Sequence, residues 1–289
     1  MIAARLMNRR MDMRVRMPTF DFSGSVGAWM PRAPEMAHIL NANSIVVPHL
    51  ERFLNRVMAR ARAEIVGDDA ESARIRSDIS TFIKQESCHY TIHGQFNEMM
   101  IRTGYGRLPE LEKDIVAHYE HLLATKSLPF LVAYCEGFES LLPPTASGWF
   151  DGSMDPVMVD ADPNPASMWR WHMMEEFEHR TVCHDAFERV HGGYWLRFYG
   201  YFYQFIALQL NVGKVYRYLM SVDRQTMSRD QVKQSKRRAR QAIIGFFRPV
   251  IKGAFTILRP GYTPRQIAEP QGWAEARADI EANWVKERA

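Results

Sequence analysis

Cysteine is scarce. Three residues in 289, with no CxxC pair, exclude a disulfide framework and a zinc ribbon and point to a reducing, cytoplasmic setting. Long apolar runs are missing too. The most apolar stretch, FYGYFYQFIALQL at 198–210, falls short of the ~20 residues a spanning helix needs and is bracketed by Arg197 and Lys214. Neither charge dominates: 37 Lys and Arg against 33 Asp and Glu leave +4, too mild a surplus to argue for a nucleic-acid partner. There is no P-loop, no GxGxxG and no serine nucleophile elbow, and strand-like alternation is rare. The Arg-rich start, MIAARLMNRRMDMRVRM, lacks the apolar core of a secretory signal and the serines of a transit peptide, so it reads as a basic arm lying on the domain.

The chain has enough apolar residues for a sizeable core: 46% are hydrophobic and 12% aromatic, which excludes a disordered chain. Glycine and proline gather at a few breaks, and the spacing between them predicts an all-α fold. Helices are expected over 42–66 and 70–101. A connector and a core helix follow, divided at Ser127-Leu128-Pro129, where proline suits a first helical turn. An irregular loop fills 143–165, a further core helix 166–190, an aromatic helix 195–221 and a basic helix 229–257. A last short helix follows Pro270. This organises the chain as a basic N-terminal arm over 1–41, a helical bundle over 42–192 and a helical extension of the same domain over 193–289. The segment KQSKRRAR (233–240) reads as a solvated face. Because apolar IIGFF follows it, 233–258 is also a candidate for peripheral membrane contact. Homodimer formation is left open.

Glutamate and histidine carry the functional signal. Residues three or four apart share a helical face, and 19 Glu and 10 His predict roughly 0.7 Glu-x-x-His pairs by chance. Four occur. Glu35/His38 and Glu188/His191 sit at expected helix ends and are set aside as polar end residues. Glu86/His89 and Glu176/His179 are mid-helix, and each is preceded by a helix with a lone mid-helix glutamate, Glu51 and Glu136. One Glu from each of two helices and Glu-x-x-His from the other two is the donor set of a dinuclear site in a four-helix bundle. At 1.5 Å per residue, Glu51 and Glu86 both stand about 22–24 Å from the turn between their helices, hence at one level.

Four glutamates cancel the charge of two divalent ions; without metal, four buried carboxylates would be costly or would take up protons. Mixed imidazole and carboxylate donors suit iron, with manganese or zinc as alternatives. His172 falls on the same helical face as Glu176 and His179 and is a third imidazole donor. His93, seven after Glu86, is either a further ligand or an outer partner that orients one, and Asp185 is placed to accept a bond from a ligand histidine. Glu139, Glu175 and Glu178 read as surface or outer residues. Cys88, Cys135 and Cys183 read as small buried thiols, with Cys183 the one nearest the site. Tyr90 and Tyr134 read as core. The aromatic residues of 195–221 read as core that could also wall an apolar substrate channel.

The segments QESCHYTIHGQFN and WRWHMMEEFEHRTVCHD, with Phe20-Asp21-Phe22 near the start and RPGYTP near Pro260, resemble the family labelled "predicted metal-dependent hydrolase". That family is grouped with the ferritin-like proteins. Its HxxxExxH helix is similar to that of diiron arylamine N-oxygenases and diiron terpenoid hydroxylases. The resemblance implies a ferritin-like four-helix bundle with additional C-terminal helices. It also implies a diiron centre (Fe2+/Fe3+) held by Glu51, Glu86, His89, Glu136, His172, Glu176 and His179, with Glu86, Glu136 and Glu176 as the catalytic carboxylates. The expected function is a monooxygenase that uses O2 and an external electron donor to hydroxylate, or N-oxygenate, a small apolar organic substrate. The first alternative is a two-metal hydrolase using a metal-bound hydroxide. The second is a non-enzymatic iron-handling protein, against which the additional aromatic helices argue.

Overall fold

Proline and glycine set most of the helix boundaries. The computed structural model describes residues 13–285, and among them the chain forms helices, turns and extended segments without a strand. Residues 1–12 of the expected arm lie outside this range. Residues 13–33 run over the domain surface, and α1 (Pro34–Glu64) starts well before the expected residue 42, because Pro34 supplies a first-turn φ and needs no amide partner. Asp69 caps α2 (Ala70–Arg102) by accepting from the Ser72 amide at 2.9 Å. Gly104, with φ of +121°, takes the chain out of that helix. Next come α3 (Leu108–Thr125) and α4 (Leu128–Glu139). The expected loop over 143–165 holds two short helices, α5 (Leu142–Ala146) and α6 (Asp155–Met158).

The expected single helix over 166–190 is two: α7 (Pro163–His179) and α8 (Val182–Val190). A turn at Arg180 and Thr181 divides them, and it frees the Phe177 carbonyl. The Arg180 guanidinium donates to that oxygen at 2.6 Å, satisfying a group that would otherwise be buried and bare. The aromatic α9 (Tyr194–Asp223) and the basic α10 (Arg229–Ile257) follow, the second opened by a Ser228/Gln231 capping box. The last helix is α11 (Trp273–Asn283). No described helix is long and apolar enough to cross a membrane.

Helices α1, α2, α4 and the broken rod α7–α8 pack around one core; α9 covers α4 and α1, α10 lies over α1 and α5, and α11 covers α7. From Met168 to His179 only Arg170 is not mostly buried, so α7 is enclosed on nearly all sides and every polar group it carries needs a partner from elsewhere. Glu35 and His38, set aside in the sequence as helix-end residues, are buried. Glu35 pairs with Arg238 at 2.8 Å and His38 lies 2.7 Å from Asp223.

Helices α4 and α9 meet through glycine. A Cβ at Gly200 would sit 2.7 Å from the Ala133 backbone, so the helices can approach this closely only with hydrogen there. Gly213, on the same helix, would place its Cβ against nothing closer than the flexible Arg217 guanidinium at 3.5 Å. Gly200→Ala is therefore expected to destabilise by about 1–3 kcal/mol, outweighing the ~1 kcal/mol of helix propensity that alanine gains. Gly213→Ala should stabilise by roughly 0.5–1 kcal/mol. Urea denaturation of the two variants checks the opposite signs.

Candidate metal centre

Three imidazoles and four carboxylates converge where α1, α2, α4 and α7 meet. Two overlapping sets of donors are close enough to hold a metal ion: Glu51, His89, His172 and Glu176, and Glu86, His89, Glu176 and His179. Within each set one donor atom per residue lies within 4.8 Å of the others. All six residues are buried. The structure thus brings together six of the seven residues expected as ligands. Glu136 stands apart, 3.2 Å from His184 Nδ1 and 3.9 Å from Arg197. Glu139, expected as a surface or outer residue, is buried on the next turn of α4, and its Oε2 lies 3.1 Å from His179 Nδ1.

The tautomers follow from a hydrogen-bond chain that starts at a proline. Pro48 interrupts α1 and has no amide for the Ser44 carbonyl four residues earlier. Asn97 of α2 donates its side-chain amide to that carbonyl at 2.8 Å, which fixes Asn97 Oδ1 as acceptor for the Ser44 hydroxyl at 2.7 Å. Ser44 has then spent its only proton, so His93 Nδ1, 2.8 Å away, donates to Ser44 Oγ. Burial pushes both His93 and His172 well below the usual histidine range, so both rings are neutral. His93 Nε2 must accept from His172 Nδ1 at 3.0 Å. His172 Nε2 is left with a lone pair 3.0 Å from Glu176 Oε1.

The other two rings are oriented by carboxylates. His89 Nε2 donates to Glu175 at 3.2 Å, which turns an unpartnered Nδ1 toward Glu51, Glu86 and Glu176, 3.7–3.8 Å away. His179 Nδ1 donates to Glu139, and its Nε2 comes within 3.1 Å of Glu86 Oε1 without hydrogen-bonding it. Both oxygens of Glu51, Glu86 and Glu176, with His89 Nδ1 and His179 Nε2, are buried without a hydrogen-bond partner. Acceptors facing acceptors at these distances need a cation between them, so the donor set fits metal ions.

Electrostatics agree. Burial, reinforced by Glu86, pushes the Glu51 carboxyl well above its ordinary range. Burial, reinforced by Glu176 and Glu86, does the same to Glu139. Burial brings Glu176 up to about 7 against the pull of His179. For Glu86 burial also acts upward, but His179 and His89 outweigh it and hold the group low. Burial opposes charge on His89, yet its contacts with Glu175 and Glu86 raise it.

Sequence reasoning left Glu175 and Glu178 as surface or outer residues and missed Arg16. Glu175 and Glu178 are buried and share the Arg16 guanidinium at 3.0 Å each; Arg16 also reaches Glu281 of α11 at 2.7 Å. Gln85 adds a bond to Glu178 at 3.2 Å. The available signal was MEEFEH itself: several glutamates in a helix too apolar to be a surface rod require cations, and the basic arm supplies one. Asp185 does not meet a histidine. It is clasped by Arg265 and Arg74, which hold it below the usual carboxylate range despite burial. Cys135 and Cys183 are buried, and Cys183 Sγ lies 3.6 Å from Met58 Sδ.

A cavity of about 100 Å³ adjoins the centre. His172 forms part of its wall, and the rest is mostly aliphatic and aromatic, including Leu50, Phe138, Trp169, Phe205 and Phe247.

The family described as predicted metal-dependent hydrolase matches residues 14–268. Searches among curated proteins and among solved structures return no match.

Two outcomes are expected. Ser44→Ala removes the acceptor that fixes His93 and should weaken metal binding about 10–100-fold in a competitive chelator titration; Glu136→Gln should leave the metal stoichiometry unchanged. In metal-free protein, the raised carboxyls of Glu51, Glu139 and Glu176 keep protons that the unfolded chain releases. Their stabilisation is complete below the ordinary glutamate pKa of 4.5 and is lost as pH rises through the folded values, which for Glu176 is about 7. Buried neutral His93 and His172 act oppositely only up to about their ordinary 6.5. The Tm of the metal-free protein should therefore fall from neutral toward alkaline pH, and saturating metal should remove the decline.

Proposed function

Since the chain belongs to the predicted metal-dependent hydrolase family, we propose that it is an enzyme that holds two divalent metal ions in this core and hydrolyses an apolar organic substrate. The facing of bare imidazole nitrogens against unpartnered carboxylate oxygens carries the reading. Glu176 has one oxygen near His172 and the other near His179 and belongs to both donor sets, as does His89; Glu51 and His172 would help hold one ion, and Glu86 and His179 the other. Metal ions there supply Lewis acidity and a water of lowered pKa.

The protein's own residues do the rest. Glu175, Glu139 and His93 hold the three imidazoles in the tautomers that keep the inward nitrogens bare. Arg16 pairs with Glu175 at 3.0 Å and holds it in place. Substrate meets the centre at His172, the one residue of the two donor sets that also lines the cavity, and the apolar walls select hydrophobic molecules and limit water.

A second reading is the diiron monooxygenase, with O2 and an external electron donor. One observation favours it: the donors are wholly enclosed beside a cavity poor in polar groups, a setting suited to a substrate with only C–H bonds to offer. Metal-free protein loaded separately with zinc, manganese and ferrous iron distinguishes the two. The hydrolase reading expects metal-dependent cleavage of p-nitrophenyl esters under nitrogen, rising with acyl chain length. Inert zinc and manganese forms, with O2 uptake by the reduced iron form alone, would overturn it in favour of the oxygenase.

A further inference from the structure

The small net charge hides a strong local asymmetry. Residues 194–257, which make up α9, α10 and their connection, hold 12 Lys and Arg against 2 Asp and Glu, and the rest of the chain holds 25 against 31. The two helices run antiparallel. Arg224 meets Ser235 at one end, the Phe205 and Phe247 rings lie 6.3 Å apart midway, and Arg197 donates to the Ile257 carbonyl at the other end.

Each helix carries a stripe of exposed residues at helical spacing. On α9 it is Trp195, Tyr199, Phe202, Ile206 and Leu210. On α10 it is Arg237, Arg240, Ile244, Arg248, Ile251 and Phe255, a run spaced by threes and fours in which cationic and apolar side chains share one line. Trp195 is 76% exposed, Leu210 68% and Phe255 73%, so most of each side chain meets water. On both helices, turning from the core-facing side through the side that meets the other helix leads to the stripe. For antiparallel neighbours this puts the stripes side by side on one outer surface. Among the described residues Arg237, Arg240, Arg248 and Lys252 have no carboxylate partner.

We propose that this α9–α10 face docks the protein on an anionic lipid surface. Large apolar side chains interleaved with Lys and Arg, and without acids, form the pattern of an interfacial helix: the apolar groups enter the acyl boundary and the cations meet the headgroups. A second copy packed on this face would bring the same positive stripe against it, and a nucleic-acid backbone would leave Ile206, Leu210 and Ile251 unburied. The inner sides of the same helices contribute Phe205, Leu208, Phe246, Phe247 and Val250 to the cavity that ends at His172. Docking therefore places a hydrocarbon-lined pocket next to the bilayer, and the substrate class becomes a membrane-partitioned lipophile. That last clause rests on the function proposed above, while the docking itself does not.

Flotation of the purified full-length protein with vesicles tests it. Binding is expected to phosphatidylcholine vesicles containing phosphatidylglycerol and not to phosphatidylcholine alone, and to weaken with salt. The pairs Arg237→Glu with Arg240→Glu, and Ile251→Ser with Phe255→Ser, should each lower the bound fraction about tenfold or more. Lys113→Glu, an exposed charge on α3, should not. All five positions are exposed, so unchanged circular dichroism is expected and separates lost binding from lost fold. Absence of flotation, or flotation indifferent to both pairs, overturns the proposal. So does a sedimentation shift showing that the pairs split a homodimer or release bound nucleic acid instead. Flotation that persists in EDTA, with no turnover under any metal, would sink the reading of the centre and leave the docking standing.

Discussion

Everything in the core answers to the cost of burying acceptors against acceptors. Glu51, Glu86 and Glu176 crowd against one another and against nitrogens of His89, His172 and His179, with Glu139 beside His179, in an interior that offers their oxygens almost no hydrogen. Removing such groups from water costs several kcal/mol apiece unless a cation or a proton intervenes. The surrounding helices are arranged so that the cation is the better solution. Each histidine proton is directed outward to a fixed acceptor, and each inward lone pair is left unclaimed.

The support for this arrangement is unevenly spread along the chain. One strut begins with a proline that breaks α1 internally and thereby offers a carbonyl to α2, where Asn97, Ser44 and His93 pass orientation on to His172. Another begins with Arg16, whose guanidinium pairs with Glu175 and so fixes the acceptor of His89. A helix defect and a buried arginine from the N-terminal segment, neither of which touches the donor cluster, thus decide which nitrogen of a distant ring faces inward.

Much of this was legible in the sequence because Glu-x-x-His has a fixed meaning on a helix: three residues are one turn, so the pair shares a face whatever the tertiary packing. That is why Glu86, His89, Glu176 and His179, and by the same periodicity His172, come together. The fourth glutamate was not legible. Glu136 and Glu139 are one turn apart on α4 and lie only about 60° apart in projection. The helix is rotated by its close contact with α9 at Gly137 and Ala133, which turns Glu136 toward His184 and Arg197 and leaves Glu139 against His179. Rotation of a rod about its own axis is set by its neighbours. Periodicity also overran the break after His179, because Arg180 repairs the turn with its own side chain.

The clasp at Arg16 has a consequence for how the molecule is made. One guanidinium joins an N-terminal residue to Glu175 and Glu178 of α7 and to Glu281 of α11, a span of 265 positions. During synthesis Arg16 and the acidic helix emerge long before Glu281, so the guanidinium meets Glu175 and Glu178 first and its third carboxylate arrives only with α11. The clasp thus closes in two stages, and a product truncated before α11 would keep the contacts to Glu175 and Glu178 while losing the one to Glu281.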